Sequence, residues 1–308
     1  MTTVAQSASS FSIIWFGRLR FALSVAVVWA GLHFIAGRVV GVGLDRPLVM
    51  AGALHSISAG LLLIALLWVG AAAVTLIAGA RDARQPLLIL GLALTLWAAE
   101  GGQRGGTMDS WLILRHEKPG PPTSGPYWAL LGDYFYLLAA IAGVHVIATR
   151  LTPRAAETTV VVAGPRDQRR RGQPSPAWTR GLLATLLTTV IAGVALYFLT
   201  GAPTEATRRW QVYFAAAVGF AAGVFAAGRL TQVRDPLWYW PAPFVLGLAG
   251  ILVAAINPAL RLPEIYRQLD TLPAWGLVRA LPVELVGVGL TATLWMLQTV
   301  TPRAAQRQ

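Results

Sequence analysis

Eight apolar stretches, each near the length of a membrane-crossing helix, recur along this chain and leave it few folds to choose from. The hydrocarbon core of a bilayer takes roughly 20 apolar residues per helix. The stretches lie near 21–40, 56–80, 85–100, 127–149, 179–200, 210–229, 237–257 and 280–300, the third being short for a full span. Their apolar runs are continuous and lack the polar alternation of barrel strands. Inside lipid every backbone N–H and C=O must be bonded within the segment, so such runs are helices. Only 12% of the residues are charged, against 56% hydrophobic, where a soluble domain carries about 25% charged residues. The expectation is an all-α, polytopic integral membrane protein.

The charge distribution sets an orientation. With the N-terminus in the cytoplasm and eight alternating spans, the inner segments hold 15 Lys/Arg and 4 Asp/Glu, and the outer ones 10 and 9. Nearly all of the net charge of +12 therefore falls inside, as the positive-inside rule requires. The basic balance thus reads as topology and gives no reason to invoke nucleic acid. Arg18 and Arg20 followed by an apolar run resemble a signal peptide, but the run is too long and no small-residue cleavage site follows, so an uncleaved first span is expected. Both termini are then cytoplasmic. Lys118 alone stands against 24 arginines, which suggests a GC-rich bacterial genome; the expected location is a bacterial cytoplasmic (inner) membrane. The chain has no cysteine, which excludes disulfides, thiolate catalysis and Cys-held iron–sulfur clusters within it.

The two halves of the chain resemble each other. Leu90–Ala99 reads LGLALTLWAA and Leu246–Ala255 reads LGLAGILVAA, each preceded by an Arg-Asp pair, Arg81-Asp82 and Arg234-Asp235. The fourth span closes on Thr152-Pro153-Arg154-Ala155-Ala156 and the eighth on Thr301-Pro302-Arg303-Ala304-Ala305. Both halves start inside and contain four spans, so the repeat is parallel, with an axis along the membrane normal. The expected organisation is two tandem four-helix bundles, 1–150 and 179–308, joined by a Pro/Gly/Arg-rich cytoplasmic linker, 151–178. Small residues from Phe214 to Gly228 mark a face where helices approach closely.

Charges at the centre of a span cost about 2.5–3.5 kcal/mol each on insertion scales, so their positions carry information. Glu100, Asp133 and Glu284 all fall at outer span ends, and no acidic residue falls at a helix midpoint. A chain of buried carboxylates, expected of a proton or cation pump, is missing. Two long external loops occupy equivalent places in the two halves. The first carries Arg104, Asp109 and Trp111, then Arg115, His116, Glu117 and Lys118; the second carries Arg261, Glu264, Tyr266, Arg267, Asp270 and Trp275. Glu100 and Arg104 have i, i+4 spacing and can pair at a helix end. These loops can serve as interfacial anchors, or as an external pocket or docking face. Among the four histidines, only His33 and His55 lie at one depth, so a single b-haem is open to that pair alone; His116 and His145 stand apart. No nucleophile–base or metal constellation emerges.

Three segments are similar to the membrane anchor subunit of dimethyl sulfoxide reductase and related molybdopterin oxidoreductases. Tyr266 to Trp275, YRQLDTLPAW, resembles that family's Tyr…Thr-x-Pro-x-Trp external loop; Gly201-Ala202-Pro203-Thr204-Glu205-Ala206 resembles its Gly-x-Pro-x-Arg-Ala segment; and Glu100…Arg104 matches a Glu-x-x-x-Arg motif. The chain departs from the pattern at Leu199, where the family has a quinol-associated His, at Glu205, where it has Arg, and in the order of the motifs along the spans. The resemblance implies eight spans in two four-helix halves, no haem or metal, and electrons taken from membrane quinol and handed to an iron–sulfur subunit beside a molybdopterin subunit.

The leading expectation is a non-catalytic membrane subunit of a quinone-linked oxidoreductase complex, with a quinone site at the outer leaflet near Glu100, Arg104, Asp109, Arg267, Asp270, Trp275 and Glu284. Carboxylates there would exchange the two protons of quinol oxidation, and arginine would hold a quinone oxygen. The alternative is a small-molecule transporter of two parallel repeats, which calls for a mid-depth site and broken helices. A third class, a lipid-processing enzyme at the outer face, lacks a reactive constellation.

Overall fold

The computed structural model of the chain describes residues 2–36, 57–78, 84–100, 125–152, 177–200, 209–257 and 276–300. These residues form eight α-helices and no strand: α1 Thr2–Gly31, α2 Ile57–Ala78, α3 Arg84–Glu100, α4 Gly125–Leu151, α5 Ala177–Leu199, α6 Arg209–Thr231, α7 Ala242–Ile256 and α8 Pro282–Val300. A π-helical turn, Leu32–Ala36, continues α1, and short 3-10 turns, Pro236–Trp238 and Gly276–Val278, lead towards α7 and α8. Among the described residues seven segments are long and apolar enough to cross a membrane, the one that includes α7 running from Pro236 to Ile256. The exception, α3, has 17 residues, about 25 Å at 1.5 Å per residue, the short span the sequence anticipates.

Helix α3 lies at the centre. Leu87, Ile89, Leu90, Ala93 and Leu94 are fully buried, and α8 is buried almost all round through its first half, from Pro282 to Leu290. By contrast α5 turns Leu182, Leu186, Val190, Val194 and Phe198 outward. An apolar outer surface of this kind is what a helix bundle presents to lipid.

The packing partners fall into two similar sets. Helix α1 packs on α2 and α3, and α4 on α2 and α3; α5 packs on α6 and α7, and α8 on α6 and α7. Adding four to each number converts the first set into the second. The first set also has a contact of α2 with α3. Between the sets, α3 meets α8 and α4 meets both α7 and α8. The pairs α3–α8 and α4–α7 exchange under the same renumbering.

Two of these seams are set by glycine. On α3 and α8 the sequence repeats Gly-x-x-x-Thr, as Gly91…Thr95 and Gly287…Thr291. Each threonine hydroxyl donates to the carbonyl of its own glycine at 2.8 Å, which satisfies the polar group inside the apolar interface. Gly91 then faces Thr291 and Thr95 faces Gly287, so the helices run antiparallel, with the two hydroxyl oxygens 3.4 Å apart. A Cβ on Gly287 would sit 2.9 Å from the backbone nitrogen of Thr95. The backbones therefore approach too closely for any other residue without movement. Between α5 and α6, Gly219 and Gly223 do the same: a Cβ on either would come within 2.9 Å of the Cα of Ala192 or Thr188. That is the close approach expected from the small residues between Phe214 and Gly228.

Candidate functional site

Polar side chains gather where α1, α3 and α5 finish and α6 and α8 begin. Every helix end leaves backbone groups without an intrahelical partner, so this end must be satisfied by side chains or other contacts. Among the described residues two carboxylates find side-chain partners there, and the two pairs differ in access.

The first joins α1 to α3. His33, on the π-helical turn, lies with its Nδ1 2.7 Å from Glu100 Oε2 at the last residue of α3. The side chains are 40% and 33% exposed, so a molecule arriving from outside can reach both. A π turn adds a residue to the helical ladder and re-aims the side chains beyond it, and such turns recur at functional sites. Here the ring of His33 stacks on Trp29 at 5.5 Å and takes the edge of Phe34 at 4.7 Å. Phe34 and Ile35 are themselves exposed, so the pair opens onto an apolar surface.

The second pair is sealed. Glu284 sits in the first turn of α8, 2% exposed, with Arg209 Nε 3.4 Å from its Oε1. Its other oxygen accepts the backbone N–H of Leu281 at 3.0 Å. This is the return half of a capping box, in which the carboxylate also favours the positive end of the helix dipole. Tyr213 Oη donates to Oε1 at 3.4 Å. Arg209 Nη1 donates at 2.8 Å to the carbonyl of Ala99, one residue before Glu100. A buried ion pair holds only when its remaining donors and acceptors are used, and both members make further hydrogen bonds. Nearby, Arg279, 1% exposed, donates from Nη1 to the Thr200 carbonyl at 2.6 Å and so closes the end of α5. Asp133 is fully buried on α4, and the ring of the adjacent Tyr134 packs directly onto Gly247 of α7.

Of the residues singled out in the sequence, Glu100 and Glu284 are both found at this end of the bundle, in different pairs linked through Ala99 and Arg209. Arg104, Asp109, Arg267, Asp270 and Trp275 lie outside the described residues, as do His55 and His116. His145 is far along α4, its ring 6.1 Å from that of Trp240. Sequence reasoning placed His33 only in a haem pair with His55 and passed over Arg209 and Tyr213. Arg209 stands at the very start of an apolar span, where an arginine reads as an interfacial anchor, so its pairing was not legible in the sequence.

No protein-family model matches the chain, and no curated protein or solved structure is significantly similar to it.

Proposed function

We propose that the protein is an integral membrane subunit of a quinone-linked oxidoreductase complex and that it meets quinol at the His33–Glu100 pair, at the outer leaflet of a bacterial cytoplasmic membrane. The observation that carries the reading is this pair: a histidine and a carboxylate in contact, partly exposed, between aromatic rings on an apolar outer surface. Oxidation of a quinol to a quinone releases two protons and two electrons. In this reading the Glu100 carboxylate accepts a hydrogen bond from His33 Nδ1–H, which leaves Nε2 with a lone pair that takes one quinol hydroxyl proton, and the second proton leaves to the outer aqueous phase. The aromatic flank suits a flat headgroup, and the apolar surface suits its tail. The electrons pass to a redox centre on a partner, an iron–sulfur subunit by the resemblance, with a molybdopterin subunit beyond it. Arg104, Asp109, Arg267, Asp270 and Trp275 complete the outer site in this reading.

The organisation supported by the packing is two tandem four-helix bundles related by a two-fold axis along the membrane normal. The matched sets of helix partners support it, as does the exchange of α3–α8 with α4–α7. The described helices have no break at mid-span, a feature that transporters of this build typically show.

The test is purification in mild detergent, with mass spectrometry of co-eluting proteins and lipids, alongside quinol-dependent electron flow in native membranes. A redox partner and a bound quinone are expected, and His33→Asn or Glu100→Gln should each slow electron flow roughly 10²-fold. A partner-free protein without quinone, or full electron flow in both variants, overturns the proposal.

A further inference from the structure

We infer that Arg209 is a positioning residue that holds Glu100 against His33 from the other half of the chain, so that the outer site is assembled across both halves. The inference rests on the quinol reading for what the site does, though not for the geometry.

Glu100 ends α3, and a helix end is the part most prone to fray. The carbonyl of Ala99 is among the last four of α3 and has no helical partner. Arg209 Nη1 takes that carbonyl at 2.8 Å across a separation of 110 residues in sequence, and a cation there also favours the negative end of the helix dipole. Holding the Ala99 carbonyl fixes the peptide that leads into Glu100, and so the direction from which its carboxylate reaches His33 Nδ1. Arg209 is fixed in turn. Its Nε faces Glu284, which is held by Leu281 N–H and Tyr213 Oη. A planar guanidinium can hold both partners because Nε and Nη1 point in set directions; a lysine ammonium on its single flexible stem cannot reproduce that fork. The exposed pair is therefore backed by a rigid, water-excluded pair in the second half, the arrangement by which a binding site keeps its geometry without a rigid loop.

The test uses the full chain in lipid nanodiscs with [15N]histidine. With four histidines in the sequence, the His33 signals are assigned by their loss in His33→Gln. Glu100→Gln supplies the reference for a lost contact. Arg209→Gln combined with Glu284→Gln removes both buried charges together, and Arg209→Lys keeps the charge beside Glu284 but gives up the fork. In both, the His33 Nδ1 signal should move towards its position in Glu100→Gln, and in native membranes, where the redox partner is present, kcat for quinol should fall roughly tenfold to a hundredfold with KM little changed, as for a misplaced reacting group. Should the double variant fail to assemble, Arg209→Lys decides alone. A His33 signal unchanged from the parent protein in either folded variant overturns the inference. If the signal moves as expected while the parent protein binds no quinol and native membranes show no quinol-dependent electron flow through it, the positioning role stands and the quinol reading falls.

Discussion

The seam between α3 and α8 makes a quantitative demand on one glycine. At Gly287 an added methyl would lie 2.9 Å from the backbone nitrogen of Thr95, 3.1 Å from its hydroxyl and 3.2 Å from the carbonyl carbon of Leu94. Two of the three neighbours are backbone, so relief needs α3 to move as a body. Overpacking typically costs about 1–3 kcal/mol, and a rigid neighbour places Gly287→Ala in the upper part of that range. Against it stands a gain of about 1 kcal/mol in helix propensity. The net expectation is a loss of roughly 1–2 kcal/mol. Gly91→Ala strains the same seam, where the added Cβ would meet Thr291 Oγ1 at 2.9 Å and its backbone nitrogen at 3.1 Å. The double variant should cost less than the sum, because one shift of the helices relieves both contacts. The control is Gly17→Ala on α1, where nothing lies within 4 Å of the added Cβ and the change should stabilise by about 0.5–1 kcal/mol. Reversible unfolding in bicelles, by steric trapping, measures the four variants beside the parent. If Gly287→Ala is as stable as the parent while Gly17→Ala shows its gain, close backbone packing at this seam is refuted.

Two further outcomes follow from single contacts. Gly247→Ala would drive a methyl into the ring of Tyr134, so it should lose roughly 1–3 kcal/mol in the same assay, with part recovered when Tyr134→Leu clears the ring. Gln232, just past the end of α6, has a φ of 58°, a conformation that costs a side-chain-bearing residue about 1–2 kcal/mol. Gln232→Gly should therefore raise stability by roughly 0.5–1 kcal/mol, and a fall on unfolding would contradict the left-handed end to that helix.

Much of the architecture is legible before any coordinates. The third span reads as short, and α3 has 17 residues. The small-residue run in the sixth span reads as a packing face, and Gly219 and Gly223 lie against α5. Glu100 and Glu284 read as charges at one end of the bundle, and both pair there. The pairs themselves are a different matter. Glu100 can pair by sequence spacing with Arg104, four residues on and outside the described residues; among the described residues it meets His33, 67 residues away. Nothing local could nominate that histidine, because α1 and α3 approach each other only through packing.

The sequence by itself determines eight helices, because a run of bilayer length can satisfy its backbone only within itself and that condition is local. It also carries the small residues that permit close contact. What tertiary structure alone decides is how each helix is rotated, how deep it sits and which neighbour it meets. Helices that are apolar all round carry little information about which face turns inward. The choice is made by a few reciprocal fits: Gly91 with Thr291, Gly287 with Thr95, and the buried charge of Glu284 with Arg209. Each fit needs both partners present at one depth, and so it exists only once the helices have packed.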